Sequence, residues 1–217
     1  MLSSHLLMEI VLASLETLYM VGVSSMFAVL IGFPLGVLLF STQANGLNAQ
    51  PWVFQSVNFL SNVFRSIPFI ILLALLIPIT RFIVGSSIGS TATIVPLTIG
   101  AIPFFARLAQ NIFDEQSKGL IDAGTALGAT AKQIITHMLF PDALPALVNA
   151  VTVTMVTLVS YSAMAGAIGG GGLGALAIDY GYQRFELSVL LTTVIILIFL
   201  VQGIQYLGDK LAKYFTH

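Results

Sequence analysis

The sequence predicts an all-α integral membrane protein with five transmembrane helices and a helix–glycine–helix elbow on the membrane surface. Composition is the first observation behind this. Of 217 residues, 57% are hydrophobic and only 8% are charged, with a mean hydropathy of +0.99. A soluble domain carries roughly 25% charged residues, so this chain cannot cover a water-exposed surface. The second observation is five apolar stretches, each near the ~20 residues needed to cross a bilayer core. The third is a patterned, polar-containing insert between the third and fourth of them.

In chain order, the first stretch runs over about 15–40 and contains Pro34. The second covers about 57–79, with Pro68 and Pro78, and the third about 88–112, with Pro96 and Pro103. The fourth and fifth are about 144–168 and 187–207. Prolines inside spans kink helices unless neighbours satisfy the freed backbone groups. The segment 43–55 is a short polar loop, and no repeat divides the chain, so residues 1–217 read as a single transmembrane domain. The start, MLSSHLLMEIVLASLETL, has no Lys or Arg before its apolar run. A cleaved signal peptide needs a basic n-region, so the first stretch is expected to remain as a span.

Charge excludes several classes. The net charge of −1 gives no bulk attraction to nucleic acid. Cysteine is absent, which removes disulfides, thiolate nucleophiles and Cys metal sites. The eight Lys and Arg residues set orientation. With the 113–143 insert placed in the cytoplasm, Arg65, Arg107, Lys118, Lys132, Lys210 and Lys213 fall inside, and only Arg81 and Arg184 fall outside. The N-terminus is therefore expected outside and the C-terminus in the cytoplasm. The elbow then faces the compartment that holds ATP.

The elbow itself occupies about 119–141. Leu120, Ile121, Ala123 and Leu127, then Ile134, Ile135, Met138 and Leu139, fall at helical spacings and predict two short amphipathic helices. Gly128 separates them, because glycine tolerates the positive φ of a helix end. Thr130 followed by Gln133 reads as a capping box that restarts the helix, and Pro141 and Pro145 are expected to stop it. Small residues (Ala123, Gly124, Ala126, Gly128, Ala129) would let a partner approach closely. Pattern alone fits both a passive interfacial elbow and a docking site.

Catalytic signatures are missing. The run Gly169–Gly172 with Gly174 lacks the Lys-Ser/Thr of a phosphate loop, and no Walker motif occurs, so the chain cannot hydrolyse ATP in the usual way. His5, His137 and His217 are far apart and read as surface residues; no serine sits in G-x-S-x-G. The glycine run supports two readings. One is a pathway-lining irregular turn with Met164 as a flexible apolar plug. The other is tight helix packing at a dimer seam. Glu9, Glu16 and Arg65 lie close enough to the interfaces to meet water, so they are given no transport role. That scarcity of buried charge weighs against an ion-coupled secondary transporter. Asp179, Arg184 and Glu186 lie in the outer loop, where solvation or contact with a delivery protein are both open.

Asp122-Ala123-Gly124, three residues, Gly128, nine residues and Met138-Leu139-Phe140-Pro141 resemble the "EAA" loop of ABC-importer permeases, Glu-Ala-Ala, x3, Gly, x9, Ile-x-Leu-Pro. The chain differs by Asp122 for Glu, Gly124 for the second Ala, Met138 for Ile and Phe140 for Leu; the Gly and Pro anchors stand. The segments 64–73, 94–101 and 161–174 extend the likeness over nearly the whole chain, to methionine-importer permeases of the binding-protein-dependent class. The resemblance implies a bacterial inner-membrane homodimer, two copies of a separate ABC ATPase and an extracytoplasmic substrate-binding lipoprotein. It implies uptake of methionine, L- and D-, with no cofactor in this chain, ATP and Mg being bound by the ATPase. It gives Asp122, Ala123, Gly124, Gly128 and Pro141 the coupling role, and places Tyr161, Ser162, Met164 and Gly166 beside the pathway and its gate. The alternatives are a permease for another amino acid or small solute, an ion-coupled secondary transporter and a non-transporting scaffold.

Overall fold

A computed structural model describes residues 4–216, apart from the side chains of Ser4, Ser117 and Lys118. The expectations placed on His217 and on the side chain of Lys118 lie outside the described residues. Every described element is helical. The long helices are α1 (Ser4–Thr42), α5 (Ser90–Ala126), α7 (Phe140–Gly166) and α9 (Leu187–Phe215). Between them lie α2 (Pro51–Ser66), α3 (Phe69–Leu75), α4 (Ile77–Val84), α6 (Ala131–Gln133) and α8 (Gly172–Leu176).

Among the described residues, four helical stretches are long and apolar enough to cross a membrane: His5–Thr42, Ser90–Gln116, Ala131–Gly166 and Leu187–Phe215. The second expected span is not one helix. α2 and α3 meet at a bend of 104° and count as a fifth span only if taken together. Pro68 explains the break. The residue before a proline is pushed out of the α region, and Ile67 is extended, with ψ 123°. Pro78 then sits in the first turn of α4, where a proline costs no hydrogen bond.

Pro34, Pro96 and Pro103, by contrast, lie inside unbroken α1 and α5. These two helices are held backbone to backbone. A Cβ on Gly32 would come within 2.9 Å of the Ile102 carbonyl oxygen, and one on Gly36 within 2.7 Å of the Ala106 carbonyl oxygen and Ala109 Cβ. This is a small-xxx-small contact, which brings membrane helices close enough for dispersion to hold them.

Beside a smaller cluster of Ile10, Ala13, Leu173, Leu176 and Val189, two larger apolar clusters fill the interior of the described residues. One joins Met20, Val21, Leu72, Leu97 and Leu158 across α1, α3, α5 and α7. The other joins Phe40, Phe105, Phe113, Ile134 and Leu139 at the elbow end. There Phe113 packs 5.5 Å from Phe40 and 6.1 Å from Phe33, and Phe33 meets Phe140 edge-on at 5.5 Å. Such ring pairs fix geometry beyond the area they bury, so the root of the elbow is rigid. α2 has no buried residue, and Trp52 is 85% exposed.

Candidate functional site

The elbow grows out of α5. Its first amphipathic helix is no separate element: α5 continues unbroken to Ala126. The helix then ends in a full Schellman turn. Ala129 N–H donates to the Gly124 carbonyl at 3.0 Å and Gly128 N–H to the Thr125 carbonyl at 3.0 Å, with Gly128 at φ +75°. Thr130 restarts the helix. Its backbone N–H donates to Gln133 Oε1 at 2.9 Å while Gln133 N–H donates to Thr130 Oγ1 at 3.4 Å, the reciprocal capping box.

Pro141 and Pro145 do not stop the restarted helix. It widens into a π turn over Ile134–Leu139 and runs on through both prolines as α7. Phe140 N–H bonds the Ile135 carbonyl five residues back. The wider ring relieves the clash that a proline ring makes with the preceding turn, so the expected stop becomes a passage into the fourth span.

The structure sorts the expected elbow residues into three places. Asp122, Ala123 and Gly128 are exposed together, beside Leu127, whose side chain is 83% exposed. Gly124 is buried inside the elbow. A Cβ there would meet Ile134 Cγ1 at 2.8 Å and Met138 Sδ at 3.1 Å, so glycine lets the two arms close on each other. Pro141 is exposed but lies apart, in the first turn of α7. Asp122 borders a cavity of about 730 Å³ with Gln43, Asn45, Phe54 and Asp114. Behind it runs a polar chain that the sequence did not signal. Arg107 Nη1 donates to Gln110 Oε1 at 2.8 Å, Gln110 Nε2 to Gln43 Oε1 at 3.4 Å, and Gln43 Nε2 to Asp114 Oδ1. It ties the end of α1 to the rod that carries the elbow.

At the other end of α7 the glycine run reverses the chain. Gly169, Gly171 and Gly172 have φ of +86°, +78° and +72°, values that only glycine adopts without strain. α8 then lies back on α7. A Cβ on Gly166 would sit 2.2 Å from the Ala175 nitrogen, and one on Gly174 would sit 2.5 Å from Ala163 Cα. Gly166 therefore serves close packing within the chain. Ser162 is buried and donates to the Val159 carbonyl at 2.8 Å. Tyr161 stacks on Phe69, centroids 4.3 Å apart and planes 5° apart, beside a cavity of about 190 Å³ that Arg65 also lines. Met164 is 48% exposed on the wall of a different cavity, about 720 Å³, with Ala163, Ala167, Ile198 and Val201. The four expected pathway residues thus share one helix end but not one surface.

Two further ties escaped the sequence reading. Glu16 and Thr17 of α1 bond the reversal directly. Nearer the start of α1, His5 Nδ1 lies 3.3 Å from Glu9 Oε1. The Glu9 carboxylate holds the Tyr180 phenol above its ordinary pKa, while Arg184, 4.2 Å above the Tyr180 ring, acts in the opposite sense. Among the described residues no cluster of His, Asp and Glu could hold a metal ion.

The sequence pattern of one family, described as "Binding-protein-dependent transport system inner membrane component", matches residues 28–214. The chain belongs to that family. Among its relatives, the "Probable D-methionine transport system permease protein MetI" of Vibrio cholerae is 48% identical over 216 residues, all of this chain and 95% of the relative. The "D-methionine transport system permease protein MetI" of Escherichia coli K12 is 54% identical over 151 residues, 70% of each chain. Among solved structures, the inward-facing MetNI methionine ABC transporter superposes with TM-score 0.96 at 47% identity, over 99% of this chain and all of that one. A second, an amino acid ABC transporter with histidines, superposes with TM-score 0.78 at 17% identity over 94% of this chain and 93% of the other, a likeness of fold alone. As an inner-membrane component, the chain carries its elbow and its glycine reversal at opposite ends of one family helix, α7.

Proposed function

We infer that this chain is the permease subunit of an ATP-driven importer that carries methionine, L- and D-, across the bacterial inner membrane. The observation that carries this reading is the superposition, at 47% identity over 99% of the chain, on a methionine ABC transporter. Two copies of the chain would form the pathway, joined by two ATPase subunits and fed by an extracytoplasmic binding lipoprotein. ATP and Mg belong to the ATPase. The N-terminus lies outside and the C-terminus in the cytoplasm, as the distribution of Lys and Arg supports.

The elbow is the surface on which the ATPase acts. Asp122 offers a carboxylate to a basic group, and Ala123, Gly128 and the exposed Leu127 offer a smooth apolar seat. Nucleotide binding can shift the permease only through contacts that differ between its two states. The rigid aromatic root and the continuous α5 rod carry that difference into the membrane. Met164, unbranched and half-exposed at the far end of α7, is the gate against the pathway, with Tyr161 and Ser162 supporting its turn and Gly166 backing it.

The test is uptake by proteoliposomes containing the chain with its ATPase and binding protein. ATP-dependent entry of radiolabelled L- and D-methionine, insensitive to uncoupler, is the expected result. Stronger competition by another amino acid would make that compound the substrate. Uptake that survives without ATP and collapses with uncoupler would replace the reading with an ion-coupled transporter.

A further inference from the structure

The glycine reversal is fastened from the far end of the sequence. Glu16 Oε2 accepts the Gly172 N–H at 2.7 Å, and Thr17 Oγ1 accepts the Leu173 N–H at 2.9 Å. Both donors are first-turn amides of α8, which have no partner within their own helix. Thr17 is itself anchored, donating to the Ala13 carbonyl at 3.0 Å. Two adjacent amides held by two adjacent side chains fix the orientation of α8 as well as its position.

The fit leaves no slack. A Cβ on Gly171 would stand 2.8 Å from Glu16 Oε2, and one on Gly172 would stand 2.6 Å from Thr17 Oγ1 and 2.7 Å from Met20 Cε. From the other side, Gly89 N–H donates to the Gly169 carbonyl at 2.9 Å and Thr93 Oγ1 to the Gly170 carbonyl at 3.3 Å. Glycine backbone has many conformations open to it; the local bonds of Gly169 and Gly170 N–H to the Gly166 and Ala165 carbonyls start the turn, and these outside contacts select how it continues. α8 passes its position on, because Gly174 and Ala175 lie against Ala163 and Gly166 of α7. That same turn carries Met164 and Ala167 on the cavity wall. Of the two fasteners, Thr17 is buried and Glu16 is exposed. The carboxylate is the one that can let go without opening the core.

We propose that Glu16 is a positioning residue for the gate. By accepting the Gly172 N–H, its carboxylate clips the glycine reversal to α1 and holds the Met164 turn of α7 in place; releasing the clip frees that turn. The proposal rests on the reading of Met164 as the gate.

The chain has no cysteine, so Ala167→Cys places a single thiol one turn from Met164. In the complex with its ATPase, reconstituted in proteoliposomes without nucleotide, a membrane-impermeant maleimide added outside reports how that turn sits. Relative to Ala167→Cys alone, adding Glu16→Ala should accelerate labelling on the order of tenfold, the scale of a lost charge-assisted hydrogen bond. Glu16→Gln keeps a carbonyl acceptor and should stay within about twofold of the reference. If Glu16→Ala assembles poorly, Thr17→Val removes the neighbouring acceptor at nearly constant shape and should accelerate labelling about threefold. The proposal is overturned if neither Glu16→Ala nor Thr17→Val speeds labelling, or if Glu16→Gln labels as fast as Glu16→Ala. Uptake by the unaltered chain in the same proteoliposomes keeps the two readings separate. Its failure to import methionine with ATP would defeat the importer reading, whereas the labelling ratio tests the clip alone.

Discussion

The elbow and the glycine reversal both turn the chain with a Schellman pair, at the reversal Gly170 N–H to the Ala165 carbonyl at 2.9 Å and Gly169 N–H to the Gly166 carbonyl at 3.2 Å, yet only the reversal is also tied to remote helices. At the elbow, the hydrogen bonds that close the turn join residues between Gly124 and Gln133. At the reversal, further bonds come from Glu16 and Thr17 on α1 and from Gly89 and Thr93 at the start of α5. A turn closed by its own residues keeps its shape whatever surrounds it, which suits a surface pushed from outside. A turn that is also tied to remote helices reports where those helices are, which suits a gate.

That contrast can be broken most severely at Gly166. Its substitution by Val drives a Cβ into the Ala175 nitrogen, 2.2 Å away, and backbone cannot step aside. We expect a loss above ~4 kcal/mol, seen as failure to purify a folded complex. Gly128→Ala is the matching change at the elbow. Nothing lies within 4 Å of the added Cβ, and only the left-handed φ of +75° opposes it. The cost should be about 1–2 kcal/mol, measured as a lowered Tm with the complex still assembled. Thr130→Ala removes the capping hydroxyl and should cost ~1 kcal/mol. Equal losses at Gly166 and Gly128 would erase the distinction between the two turns.

The same contrast explains what the sequence disclosed. The elbow was legible because its signals are local. Gly128, Thr130 and Gln133 sit at the offsets that Schellman and capping-box geometry demand, and the structure forms both. The apolar lengths marked four continuous spans for the same reason. The second span failed because a proline's effect depends on what surrounds it. Pro68 breaks its helix, whereas Pro34, Pro96 and Pro103 ride inside α1 and α5, the two helices that Gly32 and Gly36 bring backbone to backbone. Pro141 was misjudged as a stop because a π turn is not written in hydrophobic period. Glu16 was dismissed as an interfacial charge because its partner, Gly172, lies 156 positions away. For Met164, Tyr161, Ser162 and Gly166, adjacency in sequence suggested one surface, but a helix turns each to a different neighbour.

The claim most open to direct test is that the exposed elbow receives the motion of the ATPase. Ala123→Trp adds bulk where Ala123 is exposed, so its effect on stability should stay within about 0.5 kcal/mol. Methionine uptake per ATP hydrolysed is the measurement, made on proteoliposomes holding the full complex. We predict that the variant loses most of its uptake while the fold is intact. Uptake per ATP equal to that of the unaltered chain would contradict the coupling role of the elbow.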